Sequence, residues 1–265
     1  MGSATRAATI ATQSLVASVG SKVSVATAEE LFGAGRAIGQ STQLRATLSN
    51  PALEATAKST LVNGVFGKKL GKEATAILDG IVAQRWSSEG DLVAAIEDAA
   101  IRVAAISGGK SASIEGEIFT FSRAVASDAE LELALGSKLG DPDAKARLAA
   151  NLLGKKASPQ AVAIISALVA QPRGRRIGAL MAHAAGIVAD QSGASVATVT
   201  SANPLSAATV KSLAKTLGSQ YGREMYVNAQ VDASLIGGVR VQVGADVIDG
   251  SVASRLTQLK LSLAG

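Results

Sequence analysis

The chain has 265 residues, 48% hydrophobic but only 3% aromatic, with a formal net charge of +5, one histidine and no cysteine. Enough apolar sequence is present to bury a core, which excludes wholesale disorder. The lack of cysteine excludes a disulfide scaffold and thiolate metal ligands, and no apolar run approaches the roughly 18 residues of a membrane span.

The opening stretch, "MGSATRAATIATQSLVASVGSK", carries no acidic residue, as a transit peptide would not. It reads instead as an amphipathic helix, because Ala7, Ile10, Ala11, Leu15 and Val19 fall near one helical face. "TAEELFGAGRAIGQ" follows, with Thr27 as the expected N-cap and Glu30 three residues on, a capping box. "STQLRATLSNP" is a short helix that stops at Asn50-Pro51. A helix from about Leu53 to Phe66 ends at Gly67. "GKEATAILDGIVAQRW" places Ala74, Ile77, Leu78, Ile81 and Val82 at helical spacing. Ser88 opens the next helix, with Leu92, Val93, Ile96, Ala100 and Val103 inward, and the polar link "SGGKSASIEGE" comes after it.

Beyond that link the chain repeats itself. At an offset of 87 residues, Glu30, Phe32, Arg36 and Ala37 fall on Glu117, Phe119, Arg123 and Ala124. Leu44, Leu48, Lys58 and Leu61 fall on Leu131, Leu135, Lys145 and Leu148. "GKK" at 67–69 falls on "GKK" at 154–156, and "VAQ" at 82–84 on "VAQ" at 169–171. Charged and aromatic positions agreeing at one register without a gap indicate duplication rather than chance agreement of alanine-rich sequence.

From Ala194 the pattern changes. "ASVATVT" alternates in β-branched residues and predicts a strand. A helix follows Pro204 and is capped by Gly222; "EMYVNAQV" is a second strand. "GGVRVQV" and "DVID" form a hairpin across Gly244-Ala245. The final segment predicts a helix with Val252, Leu256, Leu259 and Leu263 on one face. The expected fold is therefore mainly α with a terminal α/β domain. Its domains are a first helical bundle over 1–107, a second over 115–193 repeating about 29–103, and a small mixed-sheet domain over 194–265.

The stretch from Asp232 to Leu259, "DASLIGGVRVQVGADVIDGSVASRLTQL", resembles the carboxy-terminal signature of the ATP synthase delta subunit, a family that includes the mitochondrial oligomycin-sensitivity-conferring protein. The matching positions are Leu235, Ile236, Gly237, Gly238, Val243, Gly244, Asp249, Gly250, Ser251, Arg255 and Leu256. "VTSANPL" is similar to the family's strand-to-helix junction, matching at Val199, Thr200, Ser201, Ala202, Pro204 and Leu205. The residues themselves argue structural roles: paired glycines admit backbone conformations closed to other residues, and Asp249 or Ser251 can cap the last helix. The duplicated helical region departs from the single bundle of ordinary members and looks like the long actinobacterial type.

The resemblance implies a non-catalytic peripheral-stalk subunit of a proton-translocating rotary ATP synthase. It would lie on the cytoplasmic face of the bacterial plasma membrane and reach the membrane only through the complex. The implied partners are the alpha subunits of the catalytic head, with beta as a further neighbour, and the stalk's b subunit. An alpha-subunit helix is expected to dock in a groove of the first copy, with Ile10, Leu15, Val19, Ile77, Ile81 and Val82 as candidates. The alternative class is a basic, helical nucleic-acid-associated protein. Its basic clusters, such as Arg173 with Arg175 and Arg176, read as solvated helix ends, and stacking aromatics are not interleaved with them. No catalytic residue, metal ligand or cofactor is expected. "SGGKSAS" lacks the first glycine of a phosphate loop, since that position is Ala104. His183 has no second histidine and no nucleophile motif, and Asp246 and Asp249 read as turn and cap residues.

Overall fold

The computed structural model describes residues 2–109, 113–137, 139–154, 157–244 and 246–256. The chain divides into two compact units, Met1–Val188 and Ala189–Gly265.

The first unit is helical: α1 (Ser3–Val19), α2 (Val25–Gln40), α3 (Thr42–Ser49), α4 (Ala55–Phe66), α5 (Lys72–Val82), α6 (Glu89–Gly108), α7 (Ile114–Ala126), α8 (Ala129–Gly136), α9 (Pro142–Leu153) and α10 (Pro159–Ala170). A further helix, α11 (Ile177–Gln191), runs across the boundary. Short helices need their ends satisfied, and the sequence supplies caps. The side chains of Ser41, Ser88, Asp141 and Ser158 each accept a backbone N–H of the first turn, and proline follows Asp141 and Ser158 at the helix start.

The repeat is visible in these elements. The bounds of α3 and α4 advanced by 87 residues are those of α8 and α9, and α2, α5 and α6 land on α7, α10 and α11. Phe32 and Phe119 are both buried, as are Leu48 and Leu135, Ile77 and Ile164, and Val82 and Val169. A tertiary hydrogen bond repeats as well. The Glu30 carboxylate accepts the Gly71 N–H at 2.7 Å, and the Glu117 carboxylate accepts the Ser158 N–H at 3.1 Å. Lys58 and Lys145 are both buried; Lys145 Nζ donates to the Ser137 carbonyl, while burial pulls the Lys58 amine below its ordinary value.

Two local expectations are corrected. α2 begins one turn early: Ser24 is the N-cap, and Thr27 stands at the third helical position, completing a capping box with it. Glu30 is drawn away to Gly71 instead. On α1 the buried stripe is Thr5, Ala8, Thr12 and Val16, whereas Ala7 and Ile10 are exposed and Ala11, Leu15 and Val19 lie half-buried on its flank. Hydrogen bonds explain why a polar side chain turns inward. Thr5 Oγ1 donates to Asp91 at 2.8 Å and accepts the Ser87 N–H at 3.0 Å.

The second unit contains β1 (Ser195–Ser201), α12 (Ala207–Tyr221), β2 (Met225–Val231), β3 (Val239–Val243) and β4 (Asp246–Asp249). The sheet order is β2-β1-β3-β4. β1 and β2 are parallel, as a helical crossover through α12 requires, and the other pairs are antiparallel. Ala197, Val199, Leu217, Met225 and Val241 form its core, with Leu205 and Leu213 packed against them. Gly222 ends α12 in the left-handed conformation, φ 69°. Residues 252–256 are helical; Ala245, Leu259 and Leu263 lie outside the described residues.

Candidate interaction surfaces

In the second unit the two signature stretches meet at one end of the sheet. Ser201, the last residue of β1, stands opposite Val239 of β3, and the Val239 carbonyl accepts the Gly250 N–H at 3.0 Å. Ser201 is buried, its Oγ donates to the Asn203 carbonyl at 2.7 Å, and its own carbonyl accepts from Asp232. Gly237 and Gly238 cross this junction at φ 157° and 82°. A Cβ on Gly238 would overlap the Gly250 carbonyl and the Ser251 Cα, so close backbone approach enforces glycine there. Asp249 Oδ1 accepts the Ser251 N–H at 2.9 Å, and Ser251 Oγ accepts the Ser254 N–H at 3.2 Å. Ser251 is thus the helix cap, and Asp249 fixes the turn before it. That bonding holds the Asp249 carboxyl below the usual carboxylate range. Pro204 and Leu205 lead from β1 toward α12, and the Arg255 N–H closes the first turn onto the Ser251 carbonyl.

Not all of the signature is internal. Ile236 is 78% exposed and Leu256 50%. Val252 sits beside the glycine pair, its N–H bonded to the Gly237 carbonyl, and is also exposed. An apolar fringe therefore surrounds a junction whose backbone is held by hydrogen bonds.

In the first unit, the groove candidates separate. Ile77, Ile81 and Val82 are wholly buried in the core and present no surface. Leu15 and Val19 are half-buried, and Ile10 is 60% exposed on the far side of α1 from its buried stripe. Leu15 packs against Gly80, so α1 and α5 meet there, and beside that seam Ala76 is exposed while Thr75 and Asp79 are half-buried. The seam is small-residued and open.

The matching surface of the second copy is covered. α2 packs against both α6 and α10. Glu29, Phe32 and Arg36 of α2 face Ala150 of α9 and Ala163 and Ser166 of α10 across a cleft of about 320 Å³. Arg36 also reaches Asp143 at 3.3 Å. Ala163 is 7% exposed, whereas its counterpart Ala76 is open. Sequence reasoning missed this face, because alanine and glycine on a helix carry no signal of a seat.

His183 joins a charged seam between α6 and α11. Its Nε2 lies 2.7 Å from Asp98 Oδ1. Glu97 accepts from Arg175 at 2.8 Å and from Arg173 at 3.1 Å. Ligand atoms of Glu97, Asp98 and His183 lie within 4.8 Å of one another, which raises the question of a metal. The arrangement does not fit one: Glu97 is already committed to two guanidinium groups, whose charge opposes a divalent cation. The hydrogen bond that His183 donates to the Asp98 carboxylate raises its pKa above the ordinary value. A raised folded value stabilises the fold below about pH 6.5, and that gain is lost as pH rises through the folded pKa. The melting advantage of the natural chain over His183→Gln should thus be full below about pH 6.5 and shrink as the pH is raised above that. A gap that stays constant across that range would contradict the ion-pair reading.

The model of the ATP synthase delta (OSCP) subunit family matches residues 98–263. An ATP synthase subunit delta from Leifsonia xyli is 50% identical over 265 residues, covering 100% of both chains. One from Streptomyces griseus is 38% identical, covering 90% of this chain and 89% of its own. A chain of the Toxoplasma gondii mitochondrial ATP synthase hexamer is 21% identical with a TM-score of 0.38, covering 64% of this chain and 97% of its own. Among the described residues, no helix is long and apolar enough to cross a membrane. The relatives' shared name is that of a non-catalytic subunit, and with the signature junction and the full-length likeness it places this chain in the ATP synthase delta (OSCP) subunit family.

Proposed function

We propose that this subunit acts as a stator link on the cytoplasmic side of the bacterial plasma membrane. It holds the catalytic head through its helical region and the b subunit of the stalk through its terminal α/β unit. It performs no chemistry; it resists the torque that the rotor applies to the head.

One observation carries the assignment of the head-binding surface to the first copy. In the second copy α2 of the same chain lies over α10, while among the described residues no helix lies over the equivalent face of α5 around Ala76. The internal repeat thus supplies its own template for a docked helix. An amphipathic helix from an alpha subunit would lie on α5 as α2 lies on α10, its anchors spaced at helical intervals against small residues. The core residues Ile77, Ile81 and Val82 would support that floor from beneath. The apolar fringe of Ile236, Val252 and Leu256 is the surface we assign to the b subunit.

The absence of native cysteine makes the test clean. Ala76→Cys, Leu148→Cys and Ile236→Cys, each carrying a photo-cross-linker, would be assembled into the intact synthase. The expected products join position 76 to alpha and position 236 to b, with none to alpha from position 148. Cross-linking to alpha from position 148 and not from 76 would move the head site to the second copy.

A further inference from the structure

The 87-residue repeat has a consequence for α6. Advanced by 87, α1 spans 90–106, which lies inside α6. Its buried residues Thr5, Ala8, Thr12 and Val16 land on Leu92, Ala95, Ala99 and Val103, and every one of these is buried in α6. The packing partners advance too. α1 packs on α5 and α6; α6 packs on α10, the counterpart of α5, and is tied to α11, the counterpart of α6, through Asp98 and His183. On another face, Ile96 and Val93 of α6 press toward Gly35 and Gly39 of α2. The helix is therefore buried on two sides, as one serving a single bundle at its edge is not. The family model begins its match at Asp98, within α6 and ahead of α7.

We infer that α6 belongs to two bundles at once, closing the first (α1–α6) and opening the second (α6–α11). The duplication then overlaps by one helix, and the two copies are not separate domains. The helical region has no hinge between its copies, because any opening between them would strip one bundle of a helix. A surface held on the first copy and one held on the second move as a single body. This reading is independent of which partner either copy binds.

Amide hydrogen exchange on the full chain tests it. Val103→Ala removes two γ-methyls from the filled face of α6 that the repeat directs at the second copy. Exchange is expected to rise about tenfold or more in α5 and α10 alike, since both lose the same helix when it opens. A rise in α5 with α10 unchanged would overturn the inference. If the variant does not fold, the natural chain under rising urea gives the answer. Amides of α5, α6 and α10 should converge on one opening, and α10 opening alone while α6 stays with α5 would refute it.

Discussion

Truncation after Val188 is expected to abolish proton-driven ATP synthesis while the released head continues to hydrolyse ATP. The cut falls at the boundary between the compact units and removes the whole sheet with its glycine junction. It trims only the end of α11 and leaves the Asp98–His183 seam in place. The helical unit should therefore keep its melting transition. What is lost is the proposed grip on the b subunit, and the load on that grip is large. Each proton moving through about 100 mV releases roughly 2.3 kcal/mol, so several protons per ATP place something near ~10 kcal/mol on the stalk between steps. A micromolar contact, ~8 kcal/mol, would yield under such a load, whereas a nanomolar one, ~12 kcal/mol, would hold. Weaker contacts acting together can reach the same strength through effective concentration. If the subunit is the proposed two-ended link, removing one end leaves no weaker link behind, and the head turns with the rotor. Membranes that carry only the truncated chain and still synthesise ATP at the natural rate would end the stator reading.

Much of the fold was legible because the local signals agree with the tertiary arrangement. The ends of α3 and α4 are written in Ser41, Asn50-Pro51 and Gly67, and the alternation of β1 is written in Val196, Thr198 and Thr200 on one face against Ala197 and Val199 on the other. A gap-free repeat with matched Glu30 and Glu117 was legible for a physical reason that the folded chain displays: each glutamate caps the approach to the fifth helix of its copy. The failures lie where local rules leave a choice. Ser24 and Thr27 can both cap a helix, and Gly71 decided the matter by recruiting Glu30. In α1, alanine and threonine are nearly equal in apolarity. The inward face was set by the hydrogen bonds of Thr5 to Asp91 and Ser87, more than eighty residues away. Strand order in the terminal sheet follows from long-range pairing and had no local trace.

The sites divide in the same way. Gly238 was readable as a backbone requirement, since no other residue fits against Gly250 and Ser251. The hydrophobic periodicity of Ile77, Ile81 and Val82 was readable too, but a core stripe and a groove floor share that periodicity. The structure gives these residues to the core. The face that remains open centres on Ala76, a residue whose significance lies in what it permits to approach. His183 and Asp98 stand 85 residues apart, and nothing in the sequence near either one announces the other.

Symmetry-related substitutions in the two copies should have opposite consequences. Ala76→Arg is expected to leave melting unchanged. The position is exposed near the middle of α5, arginine is a good helix former, and Glu73 and Asp79 lie three residues away on either side. Binding of a synthetic amphipathic helix from an alpha subunit should nevertheless collapse. The bulk of the new side chain blocks close helix approach, and a docked helix that strips water from the new guanidinium costs about 3–5 kcal/mol. That cost corresponds to roughly two to three and a half orders of magnitude in affinity. Ala163→Arg, its counterpart, places the same side chain beneath α2, where the position is 7% exposed. There the docked helix belongs to the chain itself, so the penalty appears as a lowered melting temperature, with overpacking adding about 1–3 kcal/mol. Calorimetric titration and thermal melting of both variants measure the contrast directly. An Ala76→Arg chain that melts like the natural one and still binds the peptide at natural affinity would show that the α5 face is not the seat, and would leave the second copy to hold the head.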